Sequence, residues 1–138
     1  MNYVLDACAL IAYLAEEKGK GYEAVNELFT RMEEDDISFY MSVFNLIEVY
    51  YDFIRKYKSV EWADEIMQQV DDLPIEIIGT VSHTVYRETA RLKGFYRISL
   101  ADAIACATAK SLAAAVVTKD HEIRAVEQGE NLSVLWIC

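Results

Sequence analysis

The chain has 138 residues, of which 13 are Lys or Arg and 23 are Asp or Glu, so its formal net charge is −10. Its length predicts one domain, residues 1–138, and its 54% apolar content is enough to build a core. The acidic charge excludes the basic surface with which many nucleic-acid-binding proteins neutralise phosphates, disfavours anionic membranes, and favours basic partners or bound metal ions.

In the first half of the chain, short β-rich runs alternate with longer segments of helical periodicity. The predicted elements are a strand over 3–5, a helix through 9–14, a helix over 22–32, a strand over 37–41 and a helix reaching about residue 56. Ser42 is placed to cap the last of these helices, because its hydroxyl can accept hydrogen bonds from the backbone N–H groups of the first turn.

The second half continues the alternation. The predicted elements are a helix over 62–70, a strand over 75–78, a helix over 81–93 that Gly94 ends, a helix from Ser99 to about 113, a strand over 115–118, a short helix over 122–127 and a strand over 133–137. Regular alternation of strands and helices predicts a three-layer α/β/α fold with a central parallel sheet of about five strands. In such folds the ligand site lies beyond the carboxyl ends of the strands.

The three cysteines indicate a reducing compartment. Cys8, Cys106 and Cys138 are odd in number and form no C-x-x-C pair, so neither a disulfide framework nor a zinc knuckle is predicted. No apolar run approaches the ~18 residues that a membrane helix needs. The apolar run 7–15 lacks the preceding positive charge of a secretion signal. We therefore expect a soluble, cytoplasmic protein.

Three aspartates follow predicted strands or begin predicted helices. Asp6 follows the first strand, Asp120 follows the strand over 115–118, and Asp102 lies in the first turn of the helix that Ser99 opens. Helix capping would explain each one alone, because Ser99-x-x-Asp102 has the capping-box spacing and a cap stabilises a helix by about 0.5–2 kcal/mol. Their positions also suit a shared site at the strand ends.

Glu48 is a fourth candidate. It lies in the apolar segment 43–51, so its carboxylate is a candidate for partial burial. An unpaired buried carboxylate costs several kcal/mol or becomes protonated. The alternative is a single exposed glutamate, which is common on helices. Together, four carboxylates could hold Mg²⁺ or Mn²⁺, which prefer oxygen ligands. Such a site could polarise a phosphate oxygen and lower the pKa of bound water. No glycine-rich phosphate loop or H-E-x-x-H motif indicates another chemistry.

Four segments that contain these acids follow one another in a recognisable order. They are Val4-Leu5-Asp6-Ala7-Cys8-Ala9-Leu10-Ile11, Asn45-Leu46-Ile47-Glu48-Val49, Ser99-Leu100-Ala101-Asp102-Ala103-Ile104-Ala105 and Val117-Thr118-Lys119-Asp120. In order, spacing and chain length they resemble the PIN-domain nucleases, particularly the VapC-type toxins of toxin–antitoxin pairs. The resemblance covers nearly the whole chain.

The resemblance implies a Mg²⁺-dependent (or Mn²⁺-dependent) endoribonuclease that cleaves RNA with metal-activated water, leaving a 5′-phosphate and a 3′-hydroxyl. Asp6 and Asp102 would be the principal metal ligands, Asp120 would complete the cluster, and Glu48 would act directly or through water. It also implies an antitoxin partner and a homodimer. The alternatives are an RNA-processing or decay nuclease without an antitoxin, and a catalytically inactive PIN-fold scaffold that binds RNA or protein.

One departure from the family pattern is Cys8. The family often has a hydroxyl residue two positions after the first aspartate, and a thiol is only a weak hydrogen-bond donor. A role for that position in supporting the metal ligands is therefore in doubt, and a small buried apolar side chain is the alternative. Ser99 and Thr118 retain hydroxyls beside two of the acids.

A group of basic residues precedes Asp102. We expect some of Arg87, Arg91, Lys93 and Arg97, with Ser99, to hold RNA phosphates beside the metal. The alternative is a solvated basic surface whose charges pair with acids elsewhere in the chain.

Overall fold

Five parallel strands form one sheet in the computed structural model, which describes residues 1–138. The strands are β1 (Asn2–Leu5), β2 (Ser38–Ser42), β3 (Ile75–Ile78), β4 (Ala115–Thr118) and β5 (Val134–Trp136). Their order across the sheet is β3-β2-β1-β4-β5. The chain proceeds outward from β1 to β3 and then crosses to the other side of β1, so its direction reverses between β1 and β4. Open parallel sheets bind ligands at the strand ends beside such a reversal.

Helices cover both faces of this sheet. They are α1 (Ala7–Leu14), α2 (Lys20–Thr30), α3 (Val43–Tyr57), α4 (Val60–Gln68), α5 (His83–Phe95), α6 (Leu100–Ser111) and α7 (Arg124–Glu130), with 3-10 turns at Gln69–Asp72 and His121–Ile123. Successive side chains of a strand point to opposite faces. In β1, Tyr3 and Leu5 pack into the core with α1 to α4, whereas Val4 packs into the core with α5 to α7. The predicted three-layer α/β/α fold is confirmed.

Serine hydroxyls cap α3, α4, α5 and α6, whereas α2 and α7 begin without a side-chain cap. Ser42 caps α3 as predicted, since its hydroxyl accepts from the Phe44 N–H at 3.2 Å. The predicted helix end at Gly94 is wrong, because α5 continues through Gly94 to Phe95. It ends where Tyr96 becomes extended, and there the Tyr96 hydroxyl donates to Glu130 at 2.7 Å. None of the helices combines the length and the apolar content that a membrane crossing requires.

Candidate metal centre

Asp6 lies at the middle of the carboxyl edge of the sheet, directly after β1. Its backbone N–H donates to the Val117 carbonyl of β4 at 3.0 Å, and its side chain caps α1 by accepting from the Ala7 N–H at 2.8 Å. Two side chains also donate to this carboxylate, Thr118 Oγ1 to Oδ2 at 2.8 Å and Asn45 Nδ2 to Oδ1 at 3.2 Å. Contacts from α1, α3 and β4 therefore fix its orientation.

The structure brings three of the four predicted acids together. Asp6, Asp102 and Asp120 each offer a carboxylate oxygen, and these oxygens lie within 4.8 Å of one another. The first turn of α6 carries Asp102, whose N–H donates to the capping hydroxyl of Ser99 at 3.1 Å. Asp120 follows β4, and its N–H donates to Thr118 Oγ1 at 2.9 Å. Capping and clustering thus occur together, because the helix N-termini meet at the strand ends.

Burial and mutual repulsion disfavour negative charge in this cluster. Burial raises the pKa of Asp6, and the Asp120 charge adds to this, while hydrogen bonds from Thr118 and Ala7 oppose it. Burial, followed by the charge of Asp6 and contact with Asp120, raises the pKa of Asp102 to about 9. The buried Asp102 Oδ2 has no hydrogen-bond partner. A divalent ion such as Mg²⁺ or Mn²⁺ fits this donor set, because it would coordinate that oxygen and offset the repulsion.

Glu48 faces the cluster from α3 but lies outside the group of three. It is half-buried, and burial raises its pKa, with further increases from the charges of Asp6, Asp52 and Asp120. The Glu48 carboxylate is therefore near enough to those of Asp6 and Asp120 to interact with their charges. Glu122 is exposed, and its backbone N–H donates to Asp120 Oδ1 at 3.0 Å.

Cys8 packs against the Asp6–Thr118 pair. Its Sγ lies 3.6 Å from Asp6 Oδ2 and 3.2 Å from Thr118 Oγ1, and it accepts from the Lys119 N–H at 3.3 Å. Burial, and then the charge of Asp6, raise the pKa of Cys8 to about 12, so this side chain is a neutral thiol at neutral pH. The hydroxyl that donates to Asp6 comes from Thr118.

Asn45 is a residue of the site that the sequence reasoning did not single out. It is fully buried, and its Nδ2 donates to Asp6 Oδ1 and to the Ala101 carbonyl, each at 3.2 Å. Asn45 therefore links α3 both to the end of β1 and to the first turn of α6. A polar residue among the buried positions of α3, one turn before Glu48, is the sequence signal that could have identified it.

Arg91, one of the predicted basic residues, belongs to an ion-pair network among α5, α6 and α7. Arg91 pairs with Glu88 and with Glu130, and Lys110 reaches the same two carboxylates at 2.6 Å and 3.1 Å. Hydrogen bonds from Arg91 are the main reason why the pKa of each of these glutamates falls to about 2. The network contacts the C-terminal end of α6, whereas Asp102 lies in its first turn.

The other predicted substrate-binding residues have diverse surroundings. Lys93 Nζ donates to the Ile98 carbonyl at 2.8 Å. Ser99 caps α6. Arg87 and Arg97 are exposed and form no ion pair. Of these residues, Arg97 and Ser99 stand nearest in sequence to Asp102.

Comparisons with known proteins agree with this architecture. The PIN domain family model matches residues 3–129. The fold resembles VapBC2 from Rickettsia felis bound to a promoter DNA fragment, with a TM-score of 0.73, 18% identity and 98% of each chain covered. It also resembles a DNA-bound VapBC from Salmonella typhimurium, with a TM-score of 0.69, 19% identity and coverage of 100% of this chain and 99% of that chain.

A third similar structure is VapBC-5 from Mycobacterium tuberculosis, a member of the VapBC family of toxin–antitoxin systems, with a TM-score of 0.61, 17% identity and 98% of each chain covered. No curated protein matches this sequence. The family model spans nearly the whole chain, from β1 to α7, and includes all of the clustered acids. On this evidence the chain belongs to the PIN domain family.

Proposed function

We propose that this protein is a metal-dependent endoribonuclease of the VapC type. The observation that carries the proposal is the mutually repelling group Asp6, Asp102 and Asp120, in which the first two are buried and one carboxylate oxygen lacks a partner. A divalent ion bound there supplies a Lewis acid that polarises a phosphate oxygen and lowers the pKa of a water molecule. Burial raises the pKa of the neighbouring Cys8 thiol to about 12, which disfavours this side chain as the nucleophile and favours water.

The proposed ligands have different roles. Asp6 and Asp102 would hold Mg²⁺ or Mn²⁺ directly, and Asp120 would complete the set. Glu48, outside the group of three, would contribute directly or through water. Thr118 and Asn45 would keep the Asp6 carboxylate oriented, because each donates a hydrogen bond to it.

The RNA substrate would also contact residues that precede Asp102. Arg97 and Ser99 would contact the RNA backbone, since Arg97 is unpaired and Ser99 caps the helix that carries Asp102. The contacts of Arg91 and Lys93 favour the alternative role, in which basic residues stabilise the fold. A partner with Lys or Arg side chains would also suit the cluster of Asp6, Asp102 and Asp120, as expected of an antitoxin segment that blocks it.

We further propose a homodimer that acts in the cytoplasm. Phe44, Ile47 and Tyr51 share one face of α3 at helical spacing and are 40%, 52% and 44% exposed. A row of large exposed apolar side chains is typical of a protein–protein interface. The three free cysteines suit a reducing compartment.

The test is cleavage of single-stranded RNA with Mg²⁺ or Mn²⁺, in the presence and absence of EDTA. We expect cleavage to need metal and to fall more than about 100-fold in Asp102→Asn, since even the outer partners of a metal site contribute 10–100-fold. Asp72→Asn, the same change at an exposed position, is the matched control. Cleavage in EDTA, or an active Asp102→Asn variant, would reject the mechanism, and an inactive wild type would favour the scaffold. A short adjacent gene for a DNA-binding antitoxin would separate a toxin from a processing nuclease.

A further inference from the structure

Aromatic and cationic side chains form a stack beside the aspartates, at the edge of the sheet that β5 occupies. The imidazole of His121 lies nearly parallel to the indole of Trp136, with 13° between the planes and 5.5 Å between the centroids. The guanidinium of Arg124 lies 4.5 Å from the centroid of the same indole. Trp136 Nε1 donates to Glu127 at 3.0 Å, which fixes the edge of the ring.

Both the chain and the sheet connect this stack to the cluster of Asp6, Asp102 and Asp120. His121 directly follows Asp120. Trp136 is the partner of Thr118 in the pairing of β4 with β5, and Thr118 donates to Asp6. Neighbouring strands lie ~4.8 Å apart, so two strand spacings put the end of β5 about 10 Å from the end of β1. The stack therefore lies within reach of nucleotides that flank a phosphate held at the aspartates.

The cations of this region are available to a ligand. His121 and Arg124 are exposed, and neither Arg124 nor Lys119 forms an ion pair, in contrast to Arg91. A protein of net charge −10 repels a phosphate backbone except where unpaired cations face it. Lys119 and His121 flank Asp120 on either side, so a cationic and an aromatic side chain stand next to the acids.

The core does not require the exposed part of the stack. Trp136 packs partly against the core on the α6 side, and Glu127 already satisfies its N–H. His121 and Arg124 are exposed and lie against the indole. Unstacked RNA bases are commonly bound by aromatic, histidine and arginine planes of this kind.

Building on the proposed nuclease function, we propose that His121, Arg124 and Trp136 form a nucleobase-stacking subsite for single-stranded RNA. One base stacks on the exposed planes of this group, and an adjacent phosphate contacts Arg124 or Lys119. The subsite binds any base, because every base has a flat face.

The experiment compares a fluorescently labelled oligouridylate with an abasic oligomer of the same length by fluorescence anisotropy, with Ca²⁺ in place of Mg²⁺ to slow cleavage. We expect the wild type to bind the oligouridylate at least about 5-fold more tightly than the abasic oligomer. Trp136→Leu and His121→Ala should remove this preference, and Trp136→Phe, which keeps an aromatic plane, should retain it. Arg124→Ala should lower the slope of log affinity against log salt by about 0.7.

Matched controls remove a similar group elsewhere. Trp62→Leu removes an exposed indole on α4, and Arg55→Ala removes an exposed guanidinium that lies over the Tyr51 ring and forms no ion pair. Both should keep the wild-type base preference and salt slope. The subsite alone would be refuted if RNA cleavage stays intact while the Trp136→Leu and His121→Ala variants keep the wild-type base preference and Arg124→Ala keeps the wild-type salt slope. A wild type that neither binds nor cleaves RNA would refute the nuclease proposal and the subsite together.

Discussion

Replacing Asp102 by Asn should stabilise the metal-free protein even as it removes the activity. The Asp102 side chain is buried without a partner for Oδ2, and its pKa is raised from an ordinary 3.8 to about 9. Between these two pKa values, the Asp102 carboxyl therefore keeps its proton in the folded protein and loses it in the unfolded chain. Because the native state binds more protons, its free energy of unfolding falls as the pH rises from about 4 to about 9.

The magnitude follows from the same interval. Between the ordinary pKa of 3.8 and pH 7, the cost of keeping Asp102 protonated reaches about 4 kcal/mol, whereas at pH 4.5 it is about 1 kcal/mol. Asn has the same shape, carries no charge, and its amide can donate to a neighbouring carboxylate. Because Asp6 and Asp102 titrate as interacting groups, part of this cost belongs to Asp6 and remains in the variant. We expect Asp102→Asn to gain about 2–4 kcal/mol at pH 7.

The assay is urea unfolding in EDTA at pH 4.5 and pH 7, with linear extrapolation to water. Repeating it in Mg²⁺ should reverse the order of stabilities, because only the wild type keeps the full set of ligands and gains free energy by binding the ion. Asp72→Asn should differ little from the wild type at either pH.

Two results would refute this reasoning. One is an Asp102→Asn variant that is less stable than the wild type at pH 7 in EDTA. The other is a gain in stability of equal size at pH 4.5 and pH 7, which would mean that the charge of Asp102 is not its cause.

Two further substitutions and one labelling experiment test separate parts of the structure. Thr118→Val removes the donor to Asp6 and should weaken Mg²⁺ binding about 10–100-fold in calorimetric titration, whereas Thr118→Ser should retain it. Gly21→Ala places a Cβ atom 2.9 Å from that of Ala12 and should lower the free energy of unfolding by about 1–3 kcal/mol in urea. Iodoacetamide should label exposed Cys138 in the native protein, as detected by mass spectrometry. The other two thiols, whose pKa burial raises to about 12, should react only after unfolding.

The fold could be predicted because its strands are short and apolar and its helices begin at recognisable caps. The observed β3 and β4 have the predicted bounds, 75–78 and 115–118. The apolar run of β4 is nearly all buried, as expected inside a parallel sheet, whereas β3 lies at the edge and keeps Glu76 exposed. Gly94 misled the prediction because a glycine is tolerated inside an exposed helix at a cost of about 1 kcal/mol. Burial of Leu92 on the same helix offsets that cost.

The acids of the site could be predicted for a geometric reason, whereas their supporting contacts could not. Parallel strands end at one edge, so Asp6 and Asp120 had to lie close together. The bond from Thr118 to Asp6 joins residues 112 positions apart, and no local pattern encodes such a pair. For the same reason the sequence did not reveal that Arg91 would pair with Glu130, which lies 39 residues away.

The chemical nature of the RNA ends produced by the purified wild-type protein tests the central claim most directly. A hydrolysis that uses a metal-activated water should leave a 5′-phosphate and a 3′-hydroxyl, only when Mg²⁺ or Mn²⁺ is present, and Asp102→Asn should produce neither end. A 2′,3′-cyclic phosphate would show that the RNA 2′-hydroxyl is the nucleophile, and products that form equally in EDTA would show that no metal is needed. Either result would contradict the proposed role of the aspartates.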